Sequence, residues 1–207
     1  MFLYLSIIGI AIVIISVLNI VFVPAYPFDN YAIWITLATV GSTIVEIVIQ
    51  LIVAGIIENL PNRWFKKDGW IYACNKKESL IYEKLQIKSW KDRVPELGAL
   101  GGFRKNKIKD PNDPAYIGQF IVEAKKGIVV HITCNIIGFL VIFILPLSYW
   151  WRIGLPVYIV SIFLNTLPIM ILRYNVPKLK VVEKRAIRNA SRRKSNENVS
   201  QQLDMSK

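Results

Sequence analysis

Four long apolar stretches dominate the chain and set its predicted architecture. Each is almost free of charged side chains, and together they cover about residues 2–24, 32–57, 128–150 and 155–173. A helix needs about 20 apolar residues to cross the hydrocarbon core, and fewer when it sits inside a bundle. The first stretch lacks the basic start and short apolar run of a signal peptide, so it counts as a span. The pattern predicts an all-α integral membrane protein with four transmembrane helices in one domain, 1–179.

The segment between the second and third spans, 58–127, has a different pattern. Its first part, LPNRWFKKDGWIYACNKK, alternates aromatic residues with lysines. Aromatic rings and lysines with apolar stems suit the headgroup layer of a membrane. Ser79, followed by Ile81 and Leu85 at helical spacing, predicts an interfacial helix that ends before Pro95. A further interfacial piece, 115–126, is expected to lead into the third span.

The distribution of charged residues predicts how the four spans are oriented in the membrane. The 207 residues carry a net charge of +12, with fifteen Lys or Arg in 58–127 and ten from Arg173 onward. The short connections on the other side hold one basic residue, Arg152. Positive charge is retained on the cytoplasmic side of the cell membrane. We therefore expect both termini and the long loop to be cytoplasmic, with 180–207 forming a basic tail, helical and then disordered.

The same distribution argues against a nucleic-acid partner. The basic residues flank membrane spans, where the orientation rule already explains them. Membrane lipid with anionic headgroups is the partner that we expect for the tail. The two cysteines, Cys74 and Cys134, fall in different environments, so neither a disulfide nor a metal pair is predicted. No metal and no bound cofactor are expected.

A few polar side chains at membrane depth are the candidates for chemistry. Such groups are costly in hydrocarbon unless they are paired, and they often mark functional sites. Glu46 and Gln50 share a helix face, and Glu46 fits either a neutral group bonding a neighbouring helix or part of a site. His131 lies near the cytoplasmic end of the third span, with Glu123 two turns earlier, and Arg173 ends the fourth span at a similar level.

The loop motif LQIKSWKDRVPELG adds cationic and aromatic groups at the same membrane face. It sets Trp90 between Lys88 and Lys91, as expected for the rim of a pocket that admits an amphipathic substrate or for a simple amphipathic anchor. A histidine can take a hydroxyl proton near neutral pH. An arginine can hold a phosphate or a developing oxyanion.

Four motifs in order, IKSWKDRVPELG, GGFRKNKI, FIVEAKKGIVVH and NTLPIMILRYNVPKL, resemble the glycosyl-4,4'-diaponeurosporenoate acyltransferases of bacterial carotenoid biosynthesis. The resemblance runs from about Trp64 to Leu179. It implies transfer of a fatty acyl group to a sugar hydroxyl of a glycosylated C30 carotenoid acid. The positions that it places in the motifs are Lys88, Trp90, Lys91, Glu123, His131, Asn165, Arg173, Tyr174 and Asn175.

The chain departs from the family pattern at several of these motifs. Ile128 stands where an acidic residue is usual, three positions before the histidine, and Ile132 stands where an aromatic residue is usual. Lys126 replaces an arginine, and Val176 replaces a basic residue. These changes surround His131 and the end of the fourth span.

The working hypothesis is an acyltransferase at the inner leaflet. His131 would be the general base, Glu123 its orienting or relay partner, and Arg173 with Asn175 would hold the acyl thioester or a donor phosphate. The acyl donor would be a co-substrate, acyl-CoA or an acylated carrier protein, and the acceptor an amphipathic glycolipid or glycosylated carotenoid. Two alternatives stay open: a non-catalytic lipid-binding or assembly protein, and a small transporter component in which Glu46 acts.

Overall fold

A computed structural model describes residues 2–22, 30–94 and 110–205, and the regular structure in these ranges is helical. Four helical segments are long and apolar enough to cross a membrane, which confirms the predicted four-span, all-α class. The α-helices are α1 (Phe2–Phe22), α2 (Tyr31–Glu58), α3 (Arg63–Lys66), α4 (Lys76–Lys84), α5 (Ile87–Trp90), α6 (Pro114–Ile137) and α7 (Leu155–Met205). Short 3₁₀ turns and one π turn join them, at Trp70–Tyr72, Lys91–Arg93, Gly138–Ile144, Leu147–Tyr149 and Trp150–Gly154.

Contacts at the two ends of the bundle show that neighbouring spans run antiparallel. At one end, the Asn19 amide donates to the carbonyl of Arg152 at 2.9 Å. At the other end, the Lys126 ammonium donates to the carbonyl of Glu58, the last residue of α2, at 2.9 Å. The start of α1 and the segment 58–94 therefore lie at the same end of the bundle. That this end is cytoplasmic stays a prediction from charge.

The third span begins earlier and ends earlier than its apolar stretch. The Asp113 carboxylate accepts the backbone N–H of Ala115 at 2.9 Å, and Pro114 follows as the first helical residue. Such a cap starts a stable helix, so residues 115–126, the expected interfacial piece, form the first half of α6 and run into the third span. The α-helix gives way at Gly138 to a 3₁₀ segment that ends before Pro146, short of the predicted residue 150.

The turn between the third and fourth spans packs unusually closely. A Cβ on Gly154 would lie 2.8 Å from the Cα of Ile142, which no larger residue tolerates without moving the backbone. Ile153 and Val141 are fully or almost fully buried beside it. Glycine is therefore required there by the approach of the two chains.

Helix α7 is longer than predicted, since it runs without a break past residue 179 to Met205. Within the described residues, the helix therefore runs through the expected boundary at 179/180 and through 180–205 of the expected tail. Val176, Leu179 and Ala186 are buried against the first half of α6. This packing stabilises the helix beyond the apolar stretch that ends at residue 173. Pro168 inside α7 cannot bond the carbonyl of Leu164, and the Tyr4 hydroxyl donates to that carbonyl at 3.1 Å.

Candidate active site

The imidazole of His131 is held by the side chain of Asn165. His131 on α6 and Asn165 on α7 lie 34 residues apart, and Nδ1 of the ring is 2.8 Å from Oδ1 of the amide. Asn165 is buried and His131 is half-buried. The prediction named both residues, and the structure joins them.

Donor and acceptor counting fixes the tautomer of His131. The Asn165 Nδ2 group donates to the backbone carbonyl of Ser161 at 3.0 Å, and a carbonyl can only accept. The amide oxygen must then face the ring, so the nitrogen beside it, Nδ1, carries the proton. In the neutral ring, Nε2 is consequently the basic nitrogen, which is the form that a general base requires.

A buried hydrogen-bond network extends from Asn165 into the bundle. The Ser161 hydroxyl donates to Oε1 of Glu46 on α2 at 2.5 Å. Gln50, one turn from Glu46, donates to the same carboxyl oxygen at 3.1 Å and to the Ser161 hydroxyl at 2.9 Å. Glu46 and Ser161 are almost completely buried. The network thus links α2, α6 and α7 at membrane depth.

Glu46 also lies against the backbone at Gly138, where the 3₁₀ segment follows α6. A Cβ added to Gly138 would meet Oε1 of Glu46 at 2.4 Å, so only glycine leaves room for the carboxyl group at this position. Small residues at helix interfaces allow such close approach in membranes. The contact with Ser161 supplies the predicted bond to a neighbouring helix, and it also connects Glu46 to Asn165, the partner of His131.

Arg173 is occupied by contacts within the protein. Its Nε and one Nη bond the two carboxylate oxygens of Glu78 at 2.6 and 2.7 Å. Its remaining donors go to three backbone carbonyls, those of Trp70, Ile71 and Ala73. A guanidinium has five N–H donors, and these five contacts use them all. Arg173 therefore ties the segment 70–78 to α7, and the structure gives it a different role from the predicted anion contact.

The partner of Arg173 is itself positioned by local structure. Asn75 caps α4 by accepting the backbone N–H of Glu78 at 2.8 Å, and the Tyr82 hydroxyl donates to the Glu78 carboxylate. The Arg173 guanidinium, together with this hydroxyl, holds the pKa of Glu78 below its usual range. Glu78 therefore stays ionised at neutral pH, as a bidentate contact with arginine requires.

A buried lysine on α6 and a half-buried lysine on α7 fasten the preceding part of the loop through Asp68. Lys125 is 1% exposed, and its ammonium bonds the Asp68 carboxylate at 2.9 Å and the carbonyl of Lys67 at 3.2 Å. Lys180 on α7 contacts the same carboxylate oxygen at 2.5 Å. The two lysines lower the pKa of Asp68 to about 2. Lys125 and Lys180 therefore hold the loop in place in addition to contributing positive charge.

The loop motif packs on α7 between the polar network and Arg173. Trp90 donates its indole N–H to the carbonyl of Leu85 at 2.8 Å and packs with Ile171 and Tyr174. Leu167 and Met170 join the same cluster. The structure therefore places Trp90 and Tyr174 in one cluster, and Tyr174 lies about two and a half helical turns from Asn165 along α7.

The other predicted residues are more dispersed. Glu123 lies two turns before His131 on α6, and its carboxylate is 3.8 Å from the Lys126 ammonium. Asn165, and not Glu123, occupies the position beside Nδ1 of His131. Lys88 is exposed, whereas Lys91 and Asn175 are half-buried. The last part of the loop motif and the GGFRKNKI motif fall in 95–109, outside the described residues.

No group of three or more His, Cys, Asp or Glu side chains in 2–22, 30–94 and 110–205 could hold a metal ion. The two cysteines are free, with Cys134 buried in α6 and Cys74 half-buried in the loop.

Comparison with protein families identifies the family of this chain. The model of one family, glycosyl-4,4'-diaponeurosporenoate acyltransferase, matches residues 61–185, more than half of the chain. The chain belongs to the glycosyl-4,4'-diaponeurosporenoate acyltransferase family. Neither the curated proteins nor the solved structures give a significant match. The suspected resemblance is confirmed, and family membership supports an acyltransferase role in carotenoid glycolipid biosynthesis.

The matched residues of this acyltransferase-family chain contain His131 and its partners on α7, but not α2. Glu46 and Gln50 precede residue 61, although both bond to Ser161 inside the match. Helix α2, which precedes the matched region, thus completes a network that begins within it.

Three departures from the family pattern lie in one cluster. Ile128 and Val176 are both 0% exposed, and they pack in the same core with Ile132 against it. At these positions the resemblance implies an acidic residue at 128 and a basic one at 176, and this chain has apolar side chains at both. A buried charge without its partner would be costly, and the joint replacement avoids that cost.

Sequence reasoning missed Ser161 and Glu78. Ser161 sits in an apolar stretch where a single hydroxyl gives no local signal, although it lies one turn before Asn165. Glu78 looked like one carboxylate among many in a charged loop. The capping position of Asn75 three residues before it was the available sign that its backbone is fixed.

Proposed function

We propose that the protein transfers a fatty acyl group from a thioester to a sugar hydroxyl of a glycosylated carotenoid or a related glycolipid at the inner leaflet. The observation that carries this proposal is the Asn165 contact, which leaves Nε2 of His131 as the basic nitrogen. Family membership supports the reaction class. His131 is the general base, and Asn165 is its positioning residue.

In the proposed reaction, the sugar hydroxyl loses its proton to Nε2 of His131 as its oxygen attacks the thioester carbonyl. The C–O bond of the ester forms and the C–S bond breaks. The thiolate leaves as the free thiol once it has taken the proton from the imidazolium. The Asn165 oxygen stabilises the ring while it carries the extra proton, because Nδ1 then remains a donor to it.

The substrate would approach along the segment that carries Trp90. Trp64 and Trp70 are 58% and 81% exposed there, beside exposed lysines. Exposed indoles and lysines suit the headgroup layer, where the sugar of a lipid-anchored acceptor would lie. Lys88, Lys91 and Asn175 remain the candidates for contacts with the sugar or with the acyl donor, acyl-CoA or an acylated carrier protein. Arg173 is no longer among them because its donors are used.

The test is acyl transfer by the purified protein in nanodiscs. A glycosylated C30 carotenoid acid is the acceptor, long-chain acyl-CoA and acylated carrier protein are offered as donors in separate arms, and mass spectrometry detects the ester. His131→Ala should lower kcat by about 10²- to 10⁴-fold. Thr166→Val, next to Asn165 but bonded only within α7, should leave the rate unchanged. Normal turnover by folded His131→Ala would overturn the proposed role of His131.

The alternative of a non-catalytic lipid-binding or assembly protein also has a supporting observation. The buried network of Glu46, Ser161 and Asn165 is the kind of polar contact that holds membrane helices together. That alternative predicts that His131→Ala lowers the thermal stability without a separate loss of product. Equal stability with loss of ester formation would favour the enzyme.

A further inference from the structure

We propose that Glu46 on α2 is a positioning residue for His131, acting through Ser161 and Asn165. This inference rests on the proposed function for its consequence in catalysis, but its structural part stands on the contacts alone. Glu46 precedes the residues that match the family, so the inference assigns a role in the site to a helix outside that match.

The direction of each hydrogen bond follows from the groups present. Gln50 and Asn165 both approach the Ser161 oxygen with N–H groups, at 2.9 and 3.4 Å. The Ser161 proton is therefore directed to the remaining neighbour, Oε1 of Glu46, at 2.5 Å. Ser161 thus has a defined orientation only while Glu46 is in place. A buried network of this kind is cooperative, so its parts depend on one another.

Ser161 holds the amide that contacts the ring in two ways, through its backbone carbonyl at 3.0 Å and through its hydroxyl at 3.4 Å, and the hydroxyl contact is the one that Glu46 supports. The Asn165 Nδ2 group lies within reach of both the carbonyl and the hydroxyl of Ser161, one turn earlier on α7. Its oxygen faces Nδ1 of His131. A rotation of the amide would present a donor to the ring and favour the opposite tautomer, in which Nδ1 is the basic nitrogen.

Glu46 is also wedged between two helices, which makes its position sensitive to one methyl group. It bonds Ser161 on α7 and lies against Gly138, the first residue of the 3₁₀ segment that follows α6, where an added Cβ would overlap Oε1. Because Oε1 is the far end of a flexible side chain, the carboxyl group would swing away and the helices would keep their places. Gly138→Ala should therefore break the Glu46–Ser161 bond without removing any polar group.

The experiment uses the fact that His131 is the only histidine. The full-length protein is labelled with ¹⁵N-histidine in nanodiscs, and the two imidazole nitrogen shifts report the tautomer of a single ring. The variants are Glu46→Ala, Glu46→Gln, Gly138→Ala and the double variant of Gly138→Ala with Glu46→Ala. Acyl transfer is measured on the same samples.

The expected pattern is specific to positioning. Glu46→Ala and Gly138→Ala should each replace the single Nδ1–H form by a mixture of tautomers and lower kcat about tenfold, with KM unchanged. Glu46→Gln keeps an acceptor at Oε1 and should retain the Nδ1–H form. In the Glu46→Ala background, Gly138→Ala should have no further effect, because the atom that it displaces is gone.

Two different outcomes would overturn the positioning role of Glu46 and the base role of His131 separately. If the imidazole shifts of Glu46→Ala and Gly138→Ala equal those of the parent protein, the positioning role is overturned. If the tautomer changes as expected while the rate of acyl transfer stays the same, the positioning role stands and the proposed base role of His131 is overturned. Gly138→Ala keeps the test decisive should Glu46→Ala fail to fold.

Discussion

Asn165 Oδ1 lies 2.8 Å from Nδ1 of His131, so an amide and not a carboxylate stands beside the imidazole. Asn165→Ala removes that contact and should lower kcat by up to about 10²-fold, because the base loses its orientation. Steady-state rates in nanodiscs would measure the effect, with Thr166→Val as the control. An unchanged kcat in folded Asn165→Ala would show that the ring is positioned by other groups.

The Arg173–Glu78 contact should govern whether the loop stays on α7. Arg173→Lys loses the bidentate geometry and most of the carbonyl contacts, and Glu78→Gln loses the charge. Each change should lower the free energy of unfolding by about 2 kcal/mol and speed cleavage of 70–78 by protease. Lys88→Ala, at an exposed position of the same loop, is the control.

Combining Arg173→Lys with Glu78→Gln gives the decisive comparison. The two single effects should not add, since both variants remove one interaction. Strict additivity of the two effects on unfolding would contradict the contact. Acyl transfer by the single variants should fall less than in His131→Ala, because Arg173 is assigned to the loop rather than to the substrate.

The Asp68 contact predicts a loop that loosens in acid. The pKa of Asp68 is about 2, lowered chiefly by Lys180 and then by Lys125. Because the pKa in the folded protein is below the ordinary value near 4, the stabilisation is complete above that value and is lost as the pH falls toward 2. The carboxylate side chain is 69% exposed, so solvent screening confines the effect to the loop.

A spin label at Lys67→Cys, in a Cys74→Ser, Cys134→Ala background, measures this change. Its mobility should rise between about pH 4 and pH 2. Adding Asp68→Asn should make the label mobile throughout that range, since no carboxylate remains to titrate. A pH response that persists in Asp68→Asn would assign the effect to another group, of which Glu78 is the nearest with a lowered pKa.

The predicted orientation can be tested with single cysteines. In the same background, Lys88→Cys should be protected from a membrane-impermeant maleimide in intact cells, because positive loops stay in the cytoplasm. Trp151→Cys should react, since Trp151 is 75% exposed in the turn at the opposite end of the bundle. The reverse labelling pattern would place the loop and the candidate site on the outer face.

Whether a feature could be predicted from the sequence depends on the distance along the chain between the residues that form it. The four spans could be predicted because apolar length alone determines them. His131 and Asn165 were both candidates, but their contact depends on how α6 and α7 pack, and 34 residues separate them. Glu46 and Ser161 are 115 residues apart, so no local pattern could join them.

The contacts of Arg173 could not be predicted from the sequence for the same reason. Its position at the end of a span suggested an anion contact, and nothing local revealed that Glu78, 95 residues earlier, would take its donors. The extension of α7 to Met205 could not be predicted for a related reason. A polar, basic sequence resembles a free tail until the packing of Ala186 against α6 is known.

The continuity of α7 has a mechanical consequence. Pro168 and Met205 are joined by an unbroken helix of 37 residues' rise, or about 55 Å. A tilt of about 5° at the proline, such as a change in bilayer thickness produces, would swing the far tip by roughly 5 Å. The displacement of a fluorophore near the end of α7 would therefore be a sensitive measure of small changes in the tilt of α7 relative to the segment that carries Asn165.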